Sequence, residues 1–545
     1  MAELALVNAT VLTMDPDRSR AAAVTVSGGR IEAVDPDEIR ADRVVDLHGA
    51  TLLPGFHDAH NHMTGFGQSL REVDLGTPPV GSLDDLYAAV AQRAEITSPG
   101  DWVFGSGYDQ NKIGGHPDRD ALDRVAPGRR VWLRHTSGHM CVVNGTVLTE
   151  LGLDQAGAEV DGGRVATDTA GRPTGLLEER AQALVGSLVY PYPLAELTDA
   201  IARAAGVYLS EGITSCTEAG IAGGWVSHSP VELAAYQAAR DSGRLGVRVE
   251  AMPAREVLHG LGADPGDGLE IGLDLGIRTG FGDEWLRIGP VKIFADGSLV
   301  GRTAALHDAY AGNGNGRGYL QCDAADLRSV IIAAHRSGWQ VATHAIGDLA
   351  IDVVLDAYAE AGQLYPRPDP RHRIEHFAVV QPRQVARAAE LGVIAVPQGR
   401  FASELGDGML AAVGPDRTGW LYRQRSLLDA GMVLPGSSDR PVVAGAPLLG
   451  LHDMVNRRTA SGQPFNQAEA ITAAQALAAY TRGSAYASRQ EHVKGTIAPG
   501  LLADLVVLSE DPTAVSPDRI AGLQVLATIV GGECRYDAGA IDGLT

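Results

Sequence analysis

The chain has 545 residues, 45% of them apolar and 21% charged, with a formal net charge of -22. That balance describes a folded globular enzyme and excludes a disordered or membrane-embedded chain. Nucleic acid and anionic membranes reward basic surfaces, so neither is expected as a partner. Four scattered cysteines (Cys141, Cys216, Cys322 and Cys534) show no CxxC spacing, and no leader-like segment opens the chain. The expectation is therefore a reducing, cytoplasmic setting and a small-molecule substrate, with a homo-oligomer left open.

Residues 1–55 alternate short β-like runs with turns, as in LALVNATVLTM and AAVTVSGGRIEAV. The last stretch, 486–545, reads the same way (GTIAPGLLADLVVL, VLATIVGGECRY). Two strand-rich ends around a long middle predict a small β-sandwich domain formed by both termini. The first strand of the middle is LLPGFHD, followed at once by His60 and His62. In an extended strand, side chains two residues apart point to the same side, so these imidazoles can converge on one ion.

From 64 to 210 the sequence carries strand-like pieces of its own (DWVFGSGYD, RVWLRHTSGH) and reads as a large insertion after the first barrel strand. Beyond it come GITSCTEA, VRVEAMPA, GPVKIFADG, WQVATHAI, HRIEHFA, VIAVPQG and MVLPGSSD, most of them separated by helical stretches. With LLPGFHD that is the number of strands needed for an α/β fold of the TIM (β/α)8 barrel type, spanning 56–485.

Polar residues interrupt or end several of these runs. Lys292 lies in the fourth, His344 in the fifth, His376 in the sixth and Asp439 ends the eighth. Catalysis in such barrels sits at the C-terminal ends of the strands. The alternatives are structural: core histidines, a capping aspartate, a lysine whose stem packs on apolar neighbours. The chain retains only three lysines, Lys112, Lys292 and Lys494, among 45 basic residues. A lysine kept inside an apolar strand is then a candidate for chemistry that a guanidinium cannot perform.

The stretches PGFHDAHNH, WVFGSGYDQ, RHTSGHMCVVN, PTGLLEE, GPVKIFADGSLVGRTAAL, THAIGD, RIEHF, PGSSDRP and GTIAPGLLADLVVL together resemble the amidohydrolase superfamily, in particular its YtcJ-like branch, which includes N-substituted formamide deformylases. The resemblance covers nearly the whole chain. One departure is GSLVGRTAAL, where the branch more often reads GSLGSRTAAL, and a changed substrate contact is expected there. The resemblance implies that His60, His62, Lys292, His344, His376 and Asp439 bind divalent metal, zinc being the expected ion. It further implies two ions bridged by a carboxylated Lys292, with a single ion as the alternative. A carbamate suits the physics, because an ammonium beside cations is disfavoured and an anionic oxygen pair is not.

The expected reaction is hydrolysis of a non-peptide C–N bond by a metal-activated hydroxide, with Asp439 relaying the proton. A superfamily deaminase or a cyclic amide or ester hydrolase is the alternative reading, and a non-catalytic binding protein a remote third. His139 is a candidate oxyanion donor or substrate contact, and Glu179, Arg302, Tyr108 and Tyr319 are candidate substrate contacts, with Trp102 a further aromatic at the pocket. His57 is read as structural. The glycine-rich GNGNGRG run lacks a phosphate-binding context and reads as a loop near the site.

Overall fold

A computed structural model describes residues 2–155, 160–224, 226–312, 314 and 316–544. Asn313 and Asn315 of GNGNGRG lie outside the described residues. The chain is mixed α/β, and its centre holds two four-stranded sheets whose neighbouring strands are parallel. The first runs Phe56–Asn61, Ile213–Ile221, Arg248–Pro253, Leu286–Ile288; the second runs Val291–Phe294, Val341–Ala345, Arg373–His376, Ile394–Val396. Every residue of Phe56–Asn61, Ile213–Ile221 and Arg248–Pro253 is buried, as expected of parallel strands covered on both faces.

The two sheets are joined at one edge. Leu286–Ile288 leads into Val291–Phe294 through Gly289 and Pro290, Gly289 N–H donates to Ala251 O at 2.8 Å, and Ala254 bridges Lys292 in parallel. At the other edge the run 432–439, expected to be a regular strand, forms no ladder. It is extended and meets the first strand through Ala59 N–H to Gly436 O (2.9 Å) and Asp439 N–H to His60 O (2.7 Å). Towards Ile394–Val396 it is tied by side chain, Ser437 Oγ donating to Pro397 O at 3.1 Å. Pro397 and Pro435 have no N–H to give, which removes ladder bonds on both sides of that seam.

Helices flank these sheets. Leu194–Ser210 buries Leu197, Ile201, Ala204, Ala205, Tyr208 and Leu209, a stripe at helical spacing, in the same apolar cluster as Phe56, Ile213 and Val249. Each such leucine or isoleucine contributes about 1.5–3 kcal/mol by leaving water.

Ahead of that helix stands a separate six-stranded sheet, in the order Gly163–Thr167, Pro173–Glu179, Met140–Val143, Arg130–His135, Trp102–Tyr108, Val73–Asp74. The termini build a further pair. Glu533–Asp537, Val525–Val530 and Leu505–Leu508 continue into Thr51–Pro54, Thr10–Leu12 and Arg20–Ala21, so one sheet takes strands from both ends of the chain. A four-stranded sheet of residues before Leu47 shares its apolar core, with Leu4, Val26 and Ile31 against Leu505, Val507 and Ile529.

Candidate metal centre and its cavity

The tips of the central strands open into a cavity of about 810 Å³. His60, His62, Lys292, His344, His376, Asp439 and, from the separate sheet, His139 all line it. Asp439 is the hub. Its Oδ1 lies 3.3 Å from His60 Nε2 and 3.1 Å from His62 Nε2, and its Oδ2 lies 4.0 Å from His376 Nδ1. Donors about 2.1 Å from a shared ion at tetrahedral angles stand about 3.4 Å apart, so this spacing is that of a coordination shell. His60, His376 and Asp439 each bring a ligand atom within 4.8 Å of the others. Lys292 Nζ is 3.4 Å from His60 Nε2, and the His344 and His376 rings are 4.5 Å apart.

The surroundings set which atoms face the centre. His60 Nδ1 contacts Glu375 Oε2, leaving Nε2 towards Asp439 and Lys292. Glu375 is gripped in turn by Arg373, whose Nε and Nη2 donate to Oε1 and Oε2 at 2.8 and 2.9 Å. Burial alone would push Glu375 up, but Arg373 and His60 hold it well below the usual carboxylate range. His376 Nδ1 meets Gln398 Oε1 at 2.8 Å, and His344 Nε2 meets Gly297 O at 3.1 Å. Gly297 can be nothing larger, because a Cβ there would stand 2.3 Å from Thr303 Oγ1 and 2.4 Å from Glu179 Oε1.

Burial lowers the histidines: His62 moderately, His344 well below its ordinary value, and His376 to about 3. Burial likewise brings Lys292 down to about 8. Asp439 moves the other way: burial pushes it up, yet the His60 and His62 imidazoles beside it hold it well below its ordinary value. Imidazoles lowered by burial, as at His62, His344 and His376, around a carboxylate held down are a metal donor set, not an acid store. Asp439 Oδ1 is moreover buried without a hydrogen-bond partner among the described residues, a cost that a cation would offset. These residues fit a divalent ion.

His139 Nδ1 lies 2.8 Å from Glu179 Oε2, and its ring is 5.0 Å from that of His344. Glu179 was expected to touch substrate, but it is fully buried and absent from the cavity wall. It accepts from Thr303 Oγ1 (2.6 Å) and Gln321 Nε2 (2.9 Å) as well as holding His139. The other expected contacts also lie elsewhere. Tyr108 is fully buried with its hydroxyl 3.1 Å from His116 Nδ1, and Arg302 Nη1 donates to Ala311 O at 3.1 Å. Neither these nor Tyr319 and Trp102 line the cavity, Trp102 stacking on Phe104 instead. Val300, at the departure in GSLVGRTAAL, packs with Leu299 and Met409 in an apolar cluster and not on the cavity wall. His57 is buried with Nε2 3.3 Å from Thr217 Oγ1.

Residue reasoning overlooked Glu375, Gln398 and Glu218, the last with Oε1 3.9 Å from His62 Nδ1. Glu375 had a signal: Arg373 and Glu375 are two apart on a buried strand, the spacing of a paired charge on one face.

Comparison with known proteins agrees with this geometry. The model of the Amidohydrolase family matches residues 43–536. The N-substituted formamide deformylase of Arthrobacter pascens is 32% identical over 558 residues, covering 98% of this chain and 99% of that protein. The Bacillus subtilis protein YtcJ, which carries an amidohydrolase name, is 30% identical over 547 residues, covering 97% and 98%. Among solved structures, an uncharacterized metal-dependent hydrolase from Pyrococcus horikoshii OT3 superposes with a TM-score of 0.73 at 27% identity, covering 94% of this chain and 99% of that one. The chain thus belongs to the Amidohydrolase family, and it is a hydrolase of carbon–nitrogen bonds other than peptide bonds.

Proposed function

We propose that the protein hydrolyses a linear amide, an N-substituted formamide foremost, at a centre of two divalent ions, zinc by preference. The observation that carries this reading is the buried Asp439 carboxylate, its Oδ1 without a formed hydrogen bond yet set at coordination-shell distances from His60 and His62, in a cavity that His139 also lines. The sequence likeness to a deformylase supports the substrate class.

In this reading His60, His62, His344, His376 and Asp439 hold the ions, and Lys292 joins them as a carbamate. That adduct would form by attack of the Nζ lone pair on carbon dioxide with loss of a proton to water, and would supply an anionic oxygen pair to the ions; Lys292 Nζ itself lies 3.4 Å from His60 Nε2. When bound, such ions acidify water from about 15.7 towards 7 and polarise a carbonyl. Asp439 accepts the proton of the attacking water and delivers it to the departing nitrogen. His139, its Nδ1 fixed by Glu179, turns Nε2 to the oxygen on which charge develops. A deaminase would need a carboxylate after His344 to serve the ring. The acid there, Asp348, is buried and accepts from His307 N–H (3.0 Å) and Gln381 Nε2 (2.7 Å), away from the cavity.

Counting Leu286–Ile288 and Val291–Phe294 as one strand interrupted at Gly289-Pro290, we read the two parallel sheets and the 432–439 run as one closed (β/α)8 barrel within residues 56–485. The sheets of 1–55 and 486–545 form a β-sandwich, and the segment 64–210 carries the inserted lobe. The packing of Leu194–Ser210 into the central core supports ending that lobe before this helix. No helix among the described residues is long and apolar enough to cross a membrane, and the four cysteines are unpaired, the latter supporting a cytoplasmic setting.

The test is elemental analysis of the purified protein with hydrolysis assays on formamides, acetamides, cyclic amides, esters and carbamates. Formamides should be cleaved fastest, and a chelator should abolish turnover until divalent ion is restored. A fully metal-loaded protein that cleaves none of the linear amides would end the proposal.

A further inference from the structure

The group carried by the substrate nitrogen is left open above, and the cavity walls bear on it. This step rests on the amide-hydrolase reading. Three cationic side chains line the cavity besides the centre itself: Lys112, Arg134 and Arg440. Each already faces a carboxylate that also lines it. Arg134 contacts Glu72, Arg440 meets Glu211 at 2.6 and 2.8 Å, and Lys112 Nζ lies 3.4 Å from Glu404. The two guanidinium pairs are also sandwiched by rings, Arg440 over Phe66 at 4.4 Å and Arg134 over Trp132 at 5.3 Å. Their geometry is therefore fixed from two directions.

Further negative charge is present. Asp74 and Asp109 line the same wall, bonded to the backbone amides of Gly76 and Asn111 at 2.9 Å each. Among the described residues neither has an ion-pair partner within 4 Å. The rest of the wall mixes apolar and aromatic side chains, such as Phe66, Leu70 and Trp132, with neutral polar ones, such as Ser69, Thr136 and Gln182.

A carboxylate entering this space would lose water and find each lining lysine or arginine already paired with a carboxylate. An uncharged group meets no such cost. We infer that the amine part of the substrate carries no negative charge, and that the Glu72–Arg134 and Glu211–Arg440 pairs act as a filter against anionic substrates. Selection of this sort works by what it refuses.

The test uses three formamides of equal length on the metal-loaded enzyme: one N-alkyl, one ending in a carboxylate and one ending in an ammonium. The alkyl compound should exceed the carboxylate in kcat/KM by at least about tenfold. Glu72→Gln uncouples Arg134 and should raise the carboxylate-to-alkyl ratio by about tenfold, and Glu211→Gln should act in the same direction through Arg440. Equal or greater activity on the carboxylate in the wild type would overturn the inference, and so would discrimination that survives unchanged in both variants. If none of the three is hydrolysed, the amide-hydrolase reading fails instead; the ratio can still be read from calorimetric binding of the same compounds. Tighter binding of the carboxylate would then overturn the filter on its own.

Discussion

Glu375 and His376 are adjacent in sequence, and both address the same centre. A regular strand would send them to opposite faces. His376 escapes that rule with φ of 73°, followed by Phe377 at 43°, so the strand turns as it ends and brings the imidazole into the cavity. Asp439 has φ of 60° for the same purpose. Non-glycine residues in this region are uncommon, and at a site they signal conformation held by its surroundings. The site residues were legible unevenly. His60 and His62 follow the two-residue period and Lys292 stands out through the scarcity of lysine; Glu375 carried only its two-residue spacing from Arg373, and Glu179 acts through a fold that no local pattern encodes. Two outcomes follow at this scale. Asp439→Asn should lower kcat by about a hundred- to ten-thousand-fold in a folded protein, measured against circular dichroism as a control. Glu375→Gln should weaken metal affinity by about 10–100-fold, read by competition with a chromophoric chelator.

The helix Asp348–Leu364 shows how an element beside the site is anchored. Its Asp352 accepts from Arg383 Nη1 and Nη2 at 2.8 and 2.6 Å and meets His307 Nε2 at 2.8 Å. Burial pushes this carboxyl up, but Arg383, Gln384 and His307 bring it down to about 2. A folded-state value below the unfolded one means stability fully present above about pH 4 and lost as pH falls towards about 2. Asp352→Asn should therefore cost about 1 kcal/mol at neutral pH, after allowance for solvent screening, with the difference closing in acid denaturant titrations. Elements were legible unevenly. Strands buried on both faces, such as ITSCTEA within Ile213–Ile221, were plain in the sequence. The run at 432–439 was read as a strand from its apolar content, yet Pro435 within it and Pro397 opposite remove ladder bonds, and its place is fixed by three-dimensional contacts with Ala59, His60 and Pro397. The strand Leu286–Ile288 went uncounted because Gly289-Pro290 hides its continuity with Val291–Phe294.

Across the whole molecule, the centre depends on parts distant from it. Thr51–Pro54, one glycine before the strand that bears His60 and leads into His62, pairs with Leu505–Leu508 over four residues. Arg248, on a central strand, is locked to Asp504 by bonds of 2.7 and 3.0 Å. Removing residues 501–545 should therefore yield a chain that is insoluble or melts without a cooperative transition, and calorimetry on the purified product would show it. Metal removal from the intact chain should lower Tm instead of abolishing folding, since the ion binds only the native arrangement. His139, from a part of the chain whose separate sheet also lines the cavity, was a candidate site contact in the sequence; its place 5.0 Å from the His344 ring was not legible there.

The sharing of one sheet between the two ends has a biosynthetic corollary. On the ribosome, the histidine pair emerges early and its outermost support is made nearly last, so a nascent chain has no finished cage in which to trap an ion. Loading is then expected only after release, with the free ions met by the completed polypeptide deciding which element is installed.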